Sequence, residues 1–314
     1  MCKKKGVALF SVYSNSILVF SKLIIGFLTG SVSILSEAIH SATDLIASII
    51  AYLAVQKSAI PPDEEHKFGH GKIENISGFI EAILIFLAAG WLIYESIKKL
   101  IYPQNIEMIW FGIVVMSISS IINIYVSRKL MKVSAETNSI ALKADAIHLR
   151  TDVYTSAGVM LGLFLIWALE KIFLGKHFHW IDPLVAILVA ILIIKAAWKL
   201  TKESFSDLID TSINQSEISK IKKVINADKE VIGFKNMRTK KAGNKTFIEF
   251  DILLDNNISL TQAHKITDDL TFKIQKEISN SEVIIHIEPC ENQCTKECKT
   301  NCKKQMNYNG SFVH

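Results

Sequence analysis

Six long apolar stretches crowd the first 200 or so positions of this 314-residue chain and restrict its fold more than any other feature. They run Val7–Leu28, Val32–Val55, Ile73–Leu100, Met108–Met131, Ile140–Leu174 and Pro183–Leu200. A helix needs roughly 20 apolar residues to cross a hydrocarbon core, and each stretch is near or beyond that length. Half of all residues are apolar and the mean hydropathy is +0.30, more than a domain with a polar surface normally reaches. The expectation is an α-helical membrane protein with six transmembrane helices over residues 1–201. A small cytoplasmic α+β domain (αββαβ) over 202–290 and a cysteine-containing tail over 291–314 complete it.

Charge orients the spans. Lys3, Lys4 and Lys5 precede the first; Lys57, Lys67 and Lys72 flank the loop after the second; Arg128, Lys129, Lys132 and Lys143 lie between the fourth and fifth. The alternate loops carry only Lys98 and Lys99, then Lys171 and Lys176. Positive loops stay cytoplasmic, so both termini are expected there. This distribution, on a net charge of +5, accounts for the basic residues without a nucleic-acid partner; the bilayer lipid is the partner instead. The lysine-led start runs into a spanning stretch with no small-residue cleavage site, so no removable leader is expected.

After Trp198 the pattern changes. Ile218, Ile221, Val224 and Ile225 have helical spacing within Ser216–Asn226. Val231–Thr239 and Thr246–Leu254 read as strands joined by the polar link Lys240–Lys245. Leu260–Ile278 reads as a helix capped by Ser259 or Thr261, and Val283–Ile287 as a third strand. That order favours a small sheet with helices on one face.

The chemistry lies in a repeat. Glu37-Ala-Ile-His-Ser-Ala-Thr-Asp44 in the second stretch recurs as Asp145-Ala-Ile-His-Leu-Arg-Thr-Asp152 in the fifth, with five of eight positions identical. Each copy sets a histidine and an aspartate four apart, on one helical face: His40 with Asp44 and His148 with Asp152. Ionisable groups at membrane depth must face protein or a wet cavity, which puts these two helices at the bundle centre. Imidazole and carboxylate suit Zn²⁺ and similar ions, and two helices giving two ligands each complete a tetrahedral set. Polar glue between helices is the plainer alternative, and one buried histidine would support it; two matched copies argue against it. Glu37 and Asp145 are read as supporting partners, pore-mouth carboxylates or further ligands.

Other candidates are weaker. Asp63, His66 and His70 offer three ligands in a loop bounded by Gly69 and Gly71, where the alternative is plain solvation. Cys290, Cys294, Cys298 and Cys302 repeat every four residues, a metal-collecting tail or one without a role, and free thiols or ligands rather than disulfides in the cytoplasm. His177 and His179 beside Trp180 suit an interfacial loop better than an exit site. Catalytic and nucleotide-binding motifs are missing, so the chain is not read as an enzyme and transport would run on an ion gradient. A membrane-bound metal sensor that moves no ion is the rival.

On these motifs the sequence resembles the cation diffusion facilitator family. The pairs His40/Asp44 and His148/Asp152 match its transport-site motifs, and Asp63-x-x-His66-x-x-x-His70-Gly-Lys72 matches a second-site signature of its bacterial zinc/iron efflux branch. The resemblance spans Val7 to Cys290. It implies a homodimer in a bacterial inner membrane that exchanges a divalent metal ion for protons by alternating access. Relatives in that branch often carry aspartate where His40 stands; histidine there, as in dedicated zinc transporters, favours Zn²⁺ over Fe²⁺ and Mn²⁺ and leaves Cd²⁺ and Co²⁺ open. Alignment also implies a regulatory cytoplasmic metal site at His264, His286 and Glu288, with Asp251 and Lys235 where histidines are usual. A protonated lysine is no ligand, so a two-metal cluster there is reduced to one site or lost. Lys72 and Asp210 fall where relatives form an ion pair at the dimer interface.

Overall fold

The computed structural model describes residues 2–29, 32–102, 109–172 and 180–290. Six long helices come first: α1 (Cys2–Thr29), α2 (Val32–Lys57), α3 (Lys72–Ile101), α4 (Ile109–Thr137), α5 (Ile140–Ile172) and α6 (Ile181–Leu208). Contacts divide the chain into two units, Met1–Ser206 and Asp207–His314. Within α1, α2, α3 and α6, described stretches of 20 to 30 residues are long and apolar enough to span a membrane; α4 and α5 are 29 and 33 residues long.

α1 packs along α2, and α4 along α5; α5 also lies against α2 and α3. Small side chains make this possible. Ala8, Ala47, Ala51, Ala82, Ala141, Ala144, Ala146 and Ala197 are wholly buried, and without a hydrophobic drive in lipid such residues let backbones approach closely. Gly78 shows how tight the fit is: a Cβ there would stand 2.6 Å from Ile140 Cγ2 and 2.7 Å from Ser204 Oγ. Many large side chains point outward instead. Ile17, Phe20, Phe27, Leu87, Trp91, Leu192 and Trp198 are exposed, a surface that is costly in water and natural against acyl chains.

One end of this bundle is tied together by charge. Glu74 on α3, 2% exposed, accepts from Lys4 Nζ of α1 at 3.1 Å and from Ser58 Oγ just after α2 at 3.0 Å. Its other oxygen accepts from Ser139 Oγ at the start of α5. Lys3 bonds Glu136 of α4, and Lys143 of α5 bonds Glu203 of α6.

The second unit contains α7 (Gln215–Ala227), β1 (Gly233–Ala242), β2 (Lys245–Leu254), α8 (Leu260–Glu277) and β3 (Ser281–Pro289). The sheet order is β1-β2-β3, with β1/β2 antiparallel and β2/β3 parallel. The parallel pair needs a crossover, which α8 supplies. The link read as Lys240–Lys245 is shorter than expected: the ladder continues to Ala242↔Lys245, and Gly243, at φ +59°, takes the left-handed turn position. Ser259 is the cap of α8: its Oγ accepts from Gln262 N at 3.3 Å and the Gln262 side chain accepts from Ser259 N at 3.2 Å, a reciprocal capping box. Alternation along β2 turns Ile248, Phe250, Ile252 and Leu254 into a core with Ile221, Ile225, Leu270 and Ile274 of the helices. The opposite register of the same strands leaves Asp251, His286 and Glu288 on the other face.

Candidate metal centre

The two octets face each other across the α2–α5 contact, and their pairing is crossed. His148 Nε2 of α5 lies 3.2 Å from Asp44 Oδ1 of α2, while His40 Nε2 of α2 lies 3.6 Å from Asp152 Oδ1 of α5. Donor atoms of His40, Asp44 and Asp152 fall within 4.8 Å of one another, and His148 joins them through Asp44. Asp44 and His148 are 5% and 6% exposed. Among the described residues, His148 Nδ1 and Asp152 Oδ2 are buried with no hydrogen-bond partner. Polar atoms left in that state are costly, and a cation drawn between two carboxylates and two imidazoles would relieve it.

These side chains form the floor of a cavity of about 610 Å³. Its walls come from α3 between Leu84 and Glu95, α4 between Met116 and Asn123, and α5 from His148 to Ser156. The cavity therefore extends from the four ligands toward the end where α3 gives way to α4. On the other side the helices close. Ala141, Leu142, Ala144, Ala146 and Leu149 are wholly buried there, and the Glu74 network lies beyond them.

Asp145 sits on this closed side, 0% exposed, with neither oxygen bonded among the described residues. It is no pore-mouth carboxylate, because it lies toward the sealed end. The side chain of Glu37 lies outside what the structure describes. Two further charged residues of this region, outside the repeated octet, are buried. Glu81 of α3 is 0% exposed and held by Ser77 Oγ at 3.2 Å; Lys22 of α1 is 4% exposed and lines the cavity. The signal was present for both, since each is an ionisable residue inside an apolar stretch.

The loop after α2 brings Asp63, His66 and His70 together. Asp63 Oδ1 accepts backbone N–H groups from His66 at 2.6 Å and Glu65 at 3.1 Å. His66 Nδ1 lies 3.3 Å from Asp63 Oδ1, and His70 Nε2 lies 3.4 Å from Oδ2. The N–H of His66, foremost, holds the Asp63 carboxyl below its ordinary value. Gly69, at φ +78°, turns the chain so that the rings of His66 and His70 stand 4.3 Å apart.

In the second unit, sheet register sets the cluster. Lys235 pairs with Asp251 across β1/β2, and Asp251 with His286 across β2/β3. His286 Nδ1 lies 3.5 Å from Asp251 Oδ1 and 3.7 Å from Glu288 Oε1. Lys235 Nζ stands 2.5 Å from Glu288 Oε2, and Asn236 Nδ2 donates to Asp251 Oδ2 at 2.6 Å. His264 is not gathered with them: it is exposed on α8, 3.9 Å from Asp268 Oδ2. Asp210 lies 3.6 Å from Lys240 Nζ within its own unit. Cys290 is a free thiol; Cys294, Cys298, Cys302, His177 and His179 lie outside the described residues.

Comparison with known proteins places these features. Residues 8–209 match the cation efflux transmembrane domain, and residues 213–290 the cytoplasmic domain of cation efflux proteins. The chain is 30% identical over 287 residues to the cation-efflux pump FieF of Shewanella oneidensis, covering 91% of this chain and 94% of that one. It is 31% identical over 285 residues to protein p34 of Rickettsia prowazekii, covering 91% and 92%. Among solved structures, the metal-bound C-terminal domain of the CzcD transporter from Thermotoga maritima is 29% identical, covering 25% of this chain and 96% of that one, at a TM-score of 0.24.

Proposed function

Because this chain belongs to the cation diffusion facilitator family, and is thus an integral membrane cation efflux transporter and not an enzyme, we propose that it exports Zn²⁺ from the cytoplasm in exchange for protons. The ion would be held by His40, Asp44, His148 and Asp152. The crossed contacts between α2 and α5 carry this reading: each helix offers its partner's aspartate a histidine at 3.2 or 3.6 Å, within the membrane unit. Two nitrogens and two oxygens suit zinc, whereas the oxygen cages of Mg²⁺ and Ca²⁺ have no call for imidazole. Cd²⁺, Co²⁺ and Fe²⁺ are the competing cargoes.

The cavity gives the reading a direction. With both termini in the cytoplasm, the closed end faces the cytoplasm and the cavity opens to the opposite side, in a bacterial inner membrane toward the periplasm. The geometry then corresponds to the state that releases metal. A proton and a metal ion compete for the same imidazole nitrogen, so protons arriving from outside compete for the histidines, and metal arriving from the cytoplasm displaces them. The cytoplasmic-domain match supports a homodimer. The Asp63/His66/His70 loop is proposed as a second, weaker metal site near the entrance. The Asp251/His286/Glu288 cluster is proposed to bind metal poorly, because Lys235 already neutralises Glu288.

The test is uptake of radioactive zinc into inverted membrane vesicles. Uptake should require an acid interior and stop when the gradient is dissipated. Undiminished uptake without a gradient would remove proton exchange, and preference for another cation in competition would remove zinc. Deletion of residues 291–314 should leave most of the uptake.

A further inference from the structure

We propose that Ser120 and Asn123 of α4 form a release station for the divalent cation, a pair of uncharged oxygen donors in the wall of the metal cavity. This rests on the reading of His40, Asp44, His148 and Asp152 as the transport site. Both residues line the cavity that those ligands floor, and they are 7% and 5% exposed. Ser120 Oγ and Asn123 Oδ1 are buried with no hydrogen-bond partner among the described residues. Three apart on one helix, they share a face. Contacts on either side of them set the level at which α4 meets α5. Ser127 Oγ donates to Ala146 O at 2.9 Å, and Ser117 Oγ lies 3.7 Å from Met160 Sδ. Between those ties Asn123 falls at the level of Asp152. Ser120 falls nearly a turn farther from the closed end, at the level of Thr155 and Ser156, which line the same cavity.

Buried serine and asparagine in a bundle ordinarily join helices, and elsewhere in this one they do: Asn15 Nδ2 of α1 donates to Ser48 Oγ of α2 at 3.1 Å. A helical serine otherwise returns its hydroxyl to the preceding turn, as Ser16 does to Val12 O at 2.8 Å and Ser96 to Leu92 O at 2.7 Å. Ser120 Oγ and Asn123 Oδ1 are engaged in neither way among the described residues. Acceptors left so are costly, and a passing cation would offset that cost. The α3 wall offers no oxygen-bearing side chain from Leu84 to Leu92, so beyond the ligands the ion meets side-chain oxygens on α4 and α5. Uncharged oxygens replace part of an ion's hydration without holding it as imidazole and carboxylate do, so the ion leaves a deep site in steps.

A residue of the path changes how fast the ion comes and goes, whereas a ligand changes how tightly it is held. Stopped-flow exchange with a zinc chelator and calorimetry read the two quantities. Both use the full chain in detergent, zinc alone as the probe, and an Asp63→Ala parent that lacks the loop carboxylate. Ser120→Ala with Asn123→Leu should slow zinc dissociation and association alike, each about tenfold, the scale of one lost contact to a charged group. Kd should stay that of the parent. Ser120→Thr keeps the hydroxyl and should recover the rate lost in Ser120→Ala. Dissociation as fast as the parent's overturns the proposal, and so does a weakened Kd, which would make the pair ligands or packing groups. Asp152→Ala separates this from the wider reading. If it binds zinc as tightly as the parent, the assignment of the transport site fails first. If it loses that zinc while the Ser120/Asn123 double variant exchanges at the parent's rate, only the release station fails.

Discussion

The membrane quartet and the cytoplasmic cluster draw on the same side-chain chemistry and end in different electrostatic states. Each gathers histidine and carboxylate within a few ångströms. In the membrane, His148 and Asp44 are nearly inaccessible, and buried atoms of His148 and Asp152 have no hydrogen-bond partner among the described residues. In the cytoplasmic cluster, His286 is 66% exposed, Lys235 bonds Glu288, and Asn236 bonds Asp251. Ligand types alone therefore do not fix the electrostatic state of a cluster. The demand for a cation comes from burial without compensation, and an ammonium placed directly on a would-be ligand removes that demand.

The largest expected effect comes from emptying the buried site. Asp152→Ala or His148→Ala should reduce zinc transport on the order of 100-fold or more, since even outer partners of metal ligands are worth 10–100-fold. Vesicle uptake measures it, and residual transport within tenfold of normal would erase the contrast between the two sites. Lys235→His should work in the opposite direction. By removing the ammonium from Glu288 and adding an imidazole, it should raise zinc affinity of the cytoplasmic cluster on the order of tenfold. Calorimetry of the full chain, with Asp152→Ala as background, reads that gain, and no gain would show that exposure rather than Lys235 weakens the site.

The loop gives a smaller and pH-dependent effect. The carboxyl of Asp63 is held below its ordinary value of 3.8, first by the His66 N–H. A group lowered in the folded state contributes fully above its unfolded value and loses that contribution as pH falls through the folded one. Exchange protection of the His66 amide should thus persist from neutral pH into the ordinary carboxylate range and fail only below it. Loss already at about pH 5 would contradict the geometry. Asp63→Ala should abolish the protection at every pH while reducing zinc uptake only a few-fold. Smallest of all is Ser259→Ala, which removes the capping box of α8 and should cost about 1 kcal/mol in unfolding of the cytoplasmic domain. Zinc uptake should stay within about twofold of normal, because the cap belongs to a different unit of the chain from the ligands.

Much of this protein can be read from its residues in order. Six apolar stretches, a hydropathy break after the sixth and the alternation of Ile248, Phe250 and Ile252 are local signals, because span length and strand period are set by neighbours in the chain. The duplicated octet is also local: a histidine and an aspartate four apart share a helical face whatever surrounds them. That spacing names a face and not its partner. Only the packing of α2 on α5 joined His148 to Asp44 and His40 to Asp152, the reverse of pairing within each repeat. Only the bundle brought Lys4, Ser58 and Ser139 to Glu74, and Lys22 to Ser41. Sheet register decided that Lys235 would meet Glu288, 53 positions later in the chain, while His264 stayed apart on α8. The physical reason is common to all of these. Period and hydropathy act over a few residues and fix what each segment can bury, while ion pairing and ligand geometry depend on which buried faces meet, and that is settled by packing between elements far apart in sequence.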